Sequence, residues 1–463
     1  MTVPASVLEM LHNNNVRYSI TPHSDNVVRA RGVDLGTEPG ICAVKSLLLQ
    51  DQQGRVQVLL PANHLLDLEA LQHQFGRHFD GVSSVELAPL FRKYQLTNVP
   101  AFPGWNDLPT LVDNSLLDQK TLWLDSGSDD HYLELAQQDF QELTKSAEIG
   151  AFTSRMPTLT PSSAQDREHI ATAIRNFTTL RIHQRLEETL EMPPLPETAQ
   201  RIIRLRADPN GDINDLANIV EIDPSLAAQV VSWAASPYYS APGKIKSVHD
   251  AIVRVLGFDM VLNLALGLSL GRSLKLSANN SGLLRAYWRD AVYTAATVEG
   301  LVTSIDREHR PGFGMAYLAG LLSNFGYLVM AEVFPPHFQQ VNRHIMANSH
   351  APASTVEQQL LGCTGTQIAA WLMEVWHMPP EMAVALRQQD NIQYNGEHAV
   401  YAKLLFTARQ MLANKGFGNR DSSYIPDKVF EALHLDRATA EITVENILES
   451  SDDLDGIADR MPA

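Results

Sequence analysis

Hydrophobic and polar positions change period along the chain. Val7-Leu8-Glu9-Met10-Leu11 opens a helical spacing. Ile41 to Leu49 and Arg55 to Leu60 are apolar runs separated by Asp51-Gln52-Gln53-Gly54, which predicts two neighbouring strands joined by a turn. The spacing over His64 to Phe75 predicts a helix. Pro109 to Leu117 and Leu122 to Ser126 read as further strands, and Asp139 to Lys145 as a closing helix. Arg155 to Ser163 is rich in Pro, Ser and Thr and reads as a linker. Beyond it strand signals nearly vanish. Gln165 to Glu191 carries Ile170, Ile174, Phe177, Leu180 and Leu186 at helical spacings, Met192-Pro193-Pro194-Leu195-Pro196 breaks the pattern, and helices follow to about residue 416. The tail from Ala438 is acidic and predicts a final helix.

The pattern therefore predicts an α+β multidomain chain. A mixed α/β domain spans 1–154, a linker and connecting helix 155–190, an all-α domain 191–400, and a helical extension with an acidic tail 401–463. Its 463 residues exceed one ordinary core. With 44% hydrophobic and 19% charged residues the composition is globular. The net charge of −17 sets up a field that repels phosphate backbones, so DNA is not an expected partner. Two cysteines, Cys42 and Cys363, exclude a disulfide framework and fit a reducing cytoplasm. The N-terminus lacks the basic and apolar regions of a signal peptide. The most apolar stretch, Ala251 to Leu270, contains Arg254, Asp259 and Asn263, which predicts a buried helix rather than a membrane span. A cytoplasmic location is expected.

Candidate chemistry in the helical region centres on Ser323-Asn324, a polar pair set into the apolar run 315–330. Ser and Asn are weak ligands for a divalent cation. Around them several fragments follow in order: Leu195-Pro196-Glu197-Thr198, Asp223-Pro224-Ser225-Leu226, Ser236-Pro237-Tyr238-Tyr239, Ile245-Lys246-Ser247-Val248 and Leu256-Gly257. This order resembles the HDOD family, the HD-related output domains of bacterial signalling proteins, over roughly residues 190–400. The resemblance implies an all-α domain without metal-dependent hydrolase activity. Catalytic HD relatives carry His-Asp at the position of Ser323-Asn324. They place further His near Asp290, Gly365 and Gln389-Asp390. Those four positions hold too few anionic or imidazole groups for a divalent site, which needs several ligands converging at about 2.0–2.6 Å. No metal and no cofactor are expected. His249-Asp250 is a literal His-Asp pair, but it stands at a helix start, where an acid suits the helix dipole.

In the N-terminal region Lys45 interrupts an apolar strand, and lysine is rarely buried without a partner. Downstream stand Asn98-Val99-Pro100-Ala101 and Asp113-Asn114-Ser115-Leu116. These features resemble the YbaK-type aminoacyl-tRNA editing domain, also found with prolyl-tRNA synthetases, over roughly residues 1–150. The resemblance implies hydrolysis of a mischarged amino acid from tRNA, with Lys45 anchoring the terminal adenosine or its phosphate. Thr97, Asn98 and Asp113 are the further substrate-binding candidates. The family's Gly-x-x-x-Pro loop is altered to Thr97-Asn98-Val99-Pro100-Ala101, and glycine there would allow close backbone approach to a ligand. Residues 1–150 hold 10 Lys/Arg against 19 Asp/Glu, a net of −9, which disfavours tRNA.

Together these readings predict a bacterial regulatory protein with a non-catalytic helical domain and a ligand-binding α/β domain. Its expected partners are a regulatory protein and an aminoacyl-tRNA or nucleotide-like molecule. A trans-acting aminoacyl-tRNA deacylase that would use Lys45 is the alternative.

Overall fold

The computed structural model describes residues 3–14, 16–22, 41–128, 131–159, 162–177, 195–241, 243–271, 281–333, 335–417 and 424–461. The helical pattern read over 178–191 and the proline break at 192–194 lie outside the described residues.

The N-terminal elements are α1 (Ala5–Asn13), β1 (Ser19–Pro22), β2 (Ile41–Asp51), β3 (Gly54–Pro61), β4 (His64–Leu66), α2 (Leu68–Phe75), β5 (Asp80–Gly81) and α3 (Ser84–Tyr94). They continue with β6 (Thr110–Asp113), β7 (Thr121–Asp125), β8 (His131–Ala136), α4 (Gln137–Leu143), β9 (Glu148–Gly150) and β10 (Thr153–Arg155). β2 and β3 form the expected antiparallel hairpin. Its turn is closed by Asp51 Oδ1, which accepts from the amides of Gln53 (2.8 Å) and Gly54 (3.1 Å).

Two expectations change here. His64 to Phe75 is not one helix: His64–Leu66 is a strand, and Asp67 ends it by accepting from the amides of Glu69 and Ala70 as the cap of α2. The strand is too short to show a period, and its partner is the distant β10, which ends at Arg155, the first residue of the linker suggested by the sequence. The helix α3 was not read from the pattern, although Ser83 and Glu86 form a capping box at its start.

Among the described residues the main sheet runs β1-β8-β7-β2-β3-β6-β9, with β5 added to the end of β2. The pairs β2/β7, β3/β6 and β6/β9 are parallel, and the others are antiparallel. Side chains alternate across the sheet. Val44, Leu59, Val112 and Leu124 join Val7 and Leu11 of α1 in one core. Leu47, Leu49, Val58, Leu60 and Leu111 join Leu71 and Phe152 in a second core.

The chain continues through α5 (Asp166–Phe177), α6 (Glu197–Ala207), α7 (Ile213–Glu221), α8 (Pro224–Ala234), α9 (Val248–Ala251), α10 (Phe258–Gly271) and α11 (Ser281–Ser304). Next come α12 (Phe313–Leu321), α13 (Phe325–Val333), α14 (Pro335–Ala347), α15 (Ala353–Leu361), α16 (Gly365–Val375) and α17 (Pro380–Gln388). The last are α18 (Ala399–Asn414), α19 (Asp427–Ala432), α20 (Arg437–Glu449) and α21 (Ser451–Ala458). The Asp223-Pro224 pair starts α8 as the sequence suggests, with Asp223 capping two amides and Pro224 in the first turn. The apolar run 313–333 is long and apolar enough to cross a membrane by composition, but it is broken at Leu322–Asn324 and is mostly buried in protein.

The compact units do not follow chain order. One contains residues 1–160, 337–361 and 412–426; the other contains 161–336, 362–411 and 427–463. In the first unit, the turn after α14 is built into the second sheet core. Ala347 is 1% exposed and belongs to that core. Asn348 Oδ1 accepts from Leu66 N at 2.6 Å, and its Nδ2 donates to Leu66 O at 3.1 Å. A Cβ at Gly81 would come within 2.4 Å of Met346 O, so only glycine permits this approach.

Candidate functional site

Lys45 and Asp125 face each other because β2 and β7 run parallel, with Val44 opposite Leu124. Lys45 Nζ lies 2.6 Å from Asp125 Oδ2, and both side chains are buried. Asp125 Oδ1 also accepts from Gly127 N at 3.0 Å. The loop after β7 packs on the altered Thr97 to Ala101 loop. Thr97 N donates to Gly127 O at 2.9 Å, and Ala101 N donates to Asp125 O at 2.8 Å. Gly127 sits at φ +83°, and a Cβ there would lie 2.8 Å from both Leu96 Cδ2 and Pro100 Cγ. Close backbone approach is thus supplied by Gly127, on the facing loop. Asn98 is buried at 4% exposure on the same loop.

Gln57, wholly buried on β3, fixes the far end of this loop. Its Nε2 donates to Ser46 Oγ and Pro100 O, both at 2.9 Å, and its Oε1 accepts from Thr110 Oγ1 at 3.1 Å. Asp113 serves the backbone. Its Oδ1 accepts from Ser115 N and Ser115 Oγ, and its Oδ2 accepts from Phe152 N at 3.2 Å. Burial, with the Asp113 charge added, pushes the Cys42 thiol up to about 12, so this cysteine is a poor nucleophile.

The turn after α14 brings one more group to this face. His350 Nε2 is 2.9 Å from His64 O, and Nδ1 is buried without a partner. Burial pulls the His350 imidazole down to about 4; the His64 carbonyl opposes this and the Lys45 charge adds to it. His350 is therefore neutral, with Nε2 donating. Asp125 and His350 were both missed in the sequence. An acid ending an apolar strand was a usable signal for Asp125, whereas nothing local marked His350.

In the helical unit four of the expected positions, Ser323, Asn324, Gln389 and Asp390, gather around a residue the sequence did not suggest. Arg409, on α18, donates from Nη1 to Gln389 Oε1 at 2.5 Å and from Nη2 to Asn324 Oδ1 at 3.2 Å. Its Nη1 is also 3.7 Å from Asp390 Oδ1. Gln389 Nε2 donates to Ser323 O at 3.0 Å, so Ser323, Asn324, Gln389 and Asp390 form one cluster with Arg409. Ser323 Oγ is buried without a partner. Gly365 sits where α16 crosses α13: a Cβ on Gly326 would come within 1.8 Å of Gly365 O. Asp290 lies on α11, where its charge adds to burial in raising the Tyr287 hydroxyl. Among the described residues no group of three or more His, Cys, Asp or Glu is placed to hold a metal ion. A guanidinium amid amides and one carboxylate is a donor set unsuited to a divalent cation.

Comparison with known proteins agrees with this division. The family model described as "HDOD domain" matches residues 192–392, and that described as "Aminoacyl-tRNA editing domain" matches 25–143. A crystal structure of a protein from Marinobacter aquaeolei VT8, provisionally described as a signal transduction protein, is 40% identical, covers 99% of this chain and 100% of its own, and gives a TM-score of 0.79. An HDOD domain protein of unknown function from Geobacter sulfurreducens is 19% identical, covers 64% of this chain and 99% of its own, with a TM-score of 0.49. An uncharacterized protein of Treponema pallidum (strain Nichols) is 22% identical over 217 residues, 47% of this chain. The match spans 40% of the length of that curated relative. The chain belongs to the family of the Marinobacter protein, and it joins a YbaK-like aminoacyl-tRNA editing domain to an HDOD domain.

Proposed function

We propose that this is a cytoplasmic regulatory protein of bacterial signal transduction, in which a non-catalytic HDOD domain is coupled to a YbaK-like ligand-binding domain. The observation that carries this reading is Arg409. Its guanidinium joins the residues that stand where catalytic HD relatives place metal ligands, and it satisfies Gln389 and Asn324 with a fixed organic cation. In the editing domain the buried Lys45–Asp125 pair offers a charged anchor beside the Thr97 to Ala101 loop, suited to a nucleotide-like or aminoacyl ligand. The partner that receives the signal is a protein.

A second reading, a trans-acting aminoacyl-tRNA deacylase, is favoured by one observation: the family's lysine is retained as Lys45 and pairs with Asp125, whose backbone carbonyl is bonded to this loop. Deacylation of a panel of mischarged tRNAs by the full chain tests both. The regulatory reading expects no turnover that depends on Lys45. Hydrolysis abolished by Lys45→Ala would replace it with the deacylase. Elemental analysis addresses the HDOD half: a stoichiometric divalent ion displaced by Asp390→Ala would overturn the non-catalytic reading.

A further inference from the structure

Lys45 shares a face of β2 with Leu47 and Leu49, because side chains alternate along a strand. Its neighbour across the β2/β3 pair is Leu60. Leu47, Leu49 and Leu60 belong to the same core as Ala347, from the turn after α14. Lys45 itself is 6% exposed, so a ligand reaches its ammonium only if something on that face moves.

The end of α14 and its turn run along this face. Arg343 Nε donates to Asp80 Oδ1, and Arg343 Nη2 donates to Phe79 O at 2.6 Å. Met346 O lies against Gly81, which pairs with Leu49 in the sheet. Asn348 then bonds both backbone groups of Leu66. His350 Nε2 is 2.9 Å from the carbonyl of His64, two residues beyond Ala62, whose amide donates to Ala43 O. The turn therefore passes from the Leu49 level of β2 toward the Ala43 level, and Lys45 stands between these levels.

The dock is polar and local. The contribution of this segment to the apolar core is the methyl of Ala347. The side chains of Arg343 and Asp80 are 38% and 61% exposed, and ion pairs of that kind contribute little. The two Asn348 bonds are the inner fastening. Residues 336 and 362, on either side of the segment, belong to the other unit, so a released segment stays tethered at both ends and redocks without a bimolecular step. An element fastened by a few polar bonds opens at lower cost than the sheet it covers.

We propose that residues 337–361 form an intramolecular lid over Lys45: docked, the turn keeps the ammonium closed, and its release opens Lys45 to a ligand. This role for the lid rests on the reading of Lys45 as a ligand anchor. The lid is encoded within 192–392, the stretch that matches the HDOD domain, so the signalling half of the sequence carries the cover of the ligand site.

Acetylation of the full chain with an N-hydroxysuccinimide ester, followed lysine by lysine by mass spectrometry, tests this. Lys145, an exposed lysine of the same unit, reports intrinsic labelling. Cys42, packed against the opposite core, reports opening of the sheet itself in a parallel reaction with iodoacetamide. Asn348→Ala should speed acetylation of Lys45 about tenfold or more, with Lys145 and Cys42 unchanged. Arg343→Ala, at the exposed rim, should give a smaller rise in the same direction and decides the matter where Asn348→Ala fails to fold. The proposal is overturned if Lys45 labelling rises in neither variant, or if it rises only together with that of Cys42, since Lys45 would then open with the sheet. The labelling needs no ligand. A Lys45 that opens with the lid yet supports neither binding nor deacylation would therefore count against the ligand reading alone.

Discussion

Arg409 Nη1 donates to Gln389 Oε1 at 2.5 Å, which ties α18 to the residue just after α17. With Nη2 on Asn324 Oδ1, one planar side chain holds two segments that are distant in sequence. Arg409→Ala should lower stability by about 2 kcal/mol, because it strands Gln389, which is 1% exposed, and leaves Asp390 without this cation. Arg409→Lys should recover little, since an ammonium cannot reproduce the two-nitrogen fork. Denaturant midpoints of the two variants check this. The same geometry predicts that Ser323→His with Asn324→Asp will not take up a divalent ion while Arg409 remains, which elemental analysis of the double variant tests.

The Lys45–Asp125 pair allows a cleaner separation of charge from packing. At 2.6 Å and almost fully buried, removal of one partner leaves an uncompensated charge in the sheet. Lys45→Met should therefore cost about 3 kcal/mol. Lys45→Met with Asp125→Leu should cost less than the sum of the two single changes, because the double variant buries no charge. A double-mutant cycle in urea measures the difference. Costs that simply add would show that the pair is not coupled.

Much of the fold was legible because long elements display their period. The β2/β3 hairpin, the buried character of 260–270 and the Asp223-Pro224 helix start all follow from local pattern, whereas the first part of the run read from Ala251 is broken at Gly257 and exposes Val253. What escaped was non-local. β4 is three residues long and is a strand through its pairing with β10. The Ala347 to His350 turn belongs to a sheet core nearly 300 positions earlier in the chain, and no spacing in either segment announces it. The sites divide in the same way. Lys45, Ser323, Asn324 and Gln389 stood out as polar residues in ordered motifs. Their partners Asp125 and Arg409 are ordinary charged residues whose roles arise from strand register and helix packing.

That distant turn can be tested directly. Asn348 satisfies both the amide and the carbonyl of Leu66, as a neighbouring strand would. Asn348→Ala removes both bonds from a buried backbone edge and should destabilise the unit by about 2 kcal/mol. Gly81→Ala should be worse, since the new methyl would lie 2.4 Å from Met346 O, a backbone atom that cannot rotate away. Limited proteolysis should show faster cleavage within 337–361 in both variants. Unchanged protection would mean that the turn is held by Ala347 packing alone.

A pH dependence follows from Glu299 on α11. Burial pushes its carboxyl up from 4.5 to about 7, and the hydrogen bond from Tyr239 Oη at 3.3 Å only partly opposes this. The hydroxyls of Tyr238, Tyr239 and Tyr317 face it, and Trp233 Nε1 donates to Tyr239 Oη at 3.2 Å. The folded state therefore binds this proton more tightly than the unfolded state does. Below about pH 4.5 both states hold the proton, and the carboxyl carries no penalty. As pH rises from there to about 7 the unfolded state ionises first, so stability falls; above about 7 the loss is complete and flat. The full change is about 3 kcal/mol. Glu299→Gln keeps the acceptor for Tyr239 and cannot ionise. The stability difference between wild type and this variant should therefore move against the wild type across that window and stay constant above it. Urea unfolding of both proteins at several pH values measures this, and a difference independent of pH would show that Glu299 ionises normally in the fold.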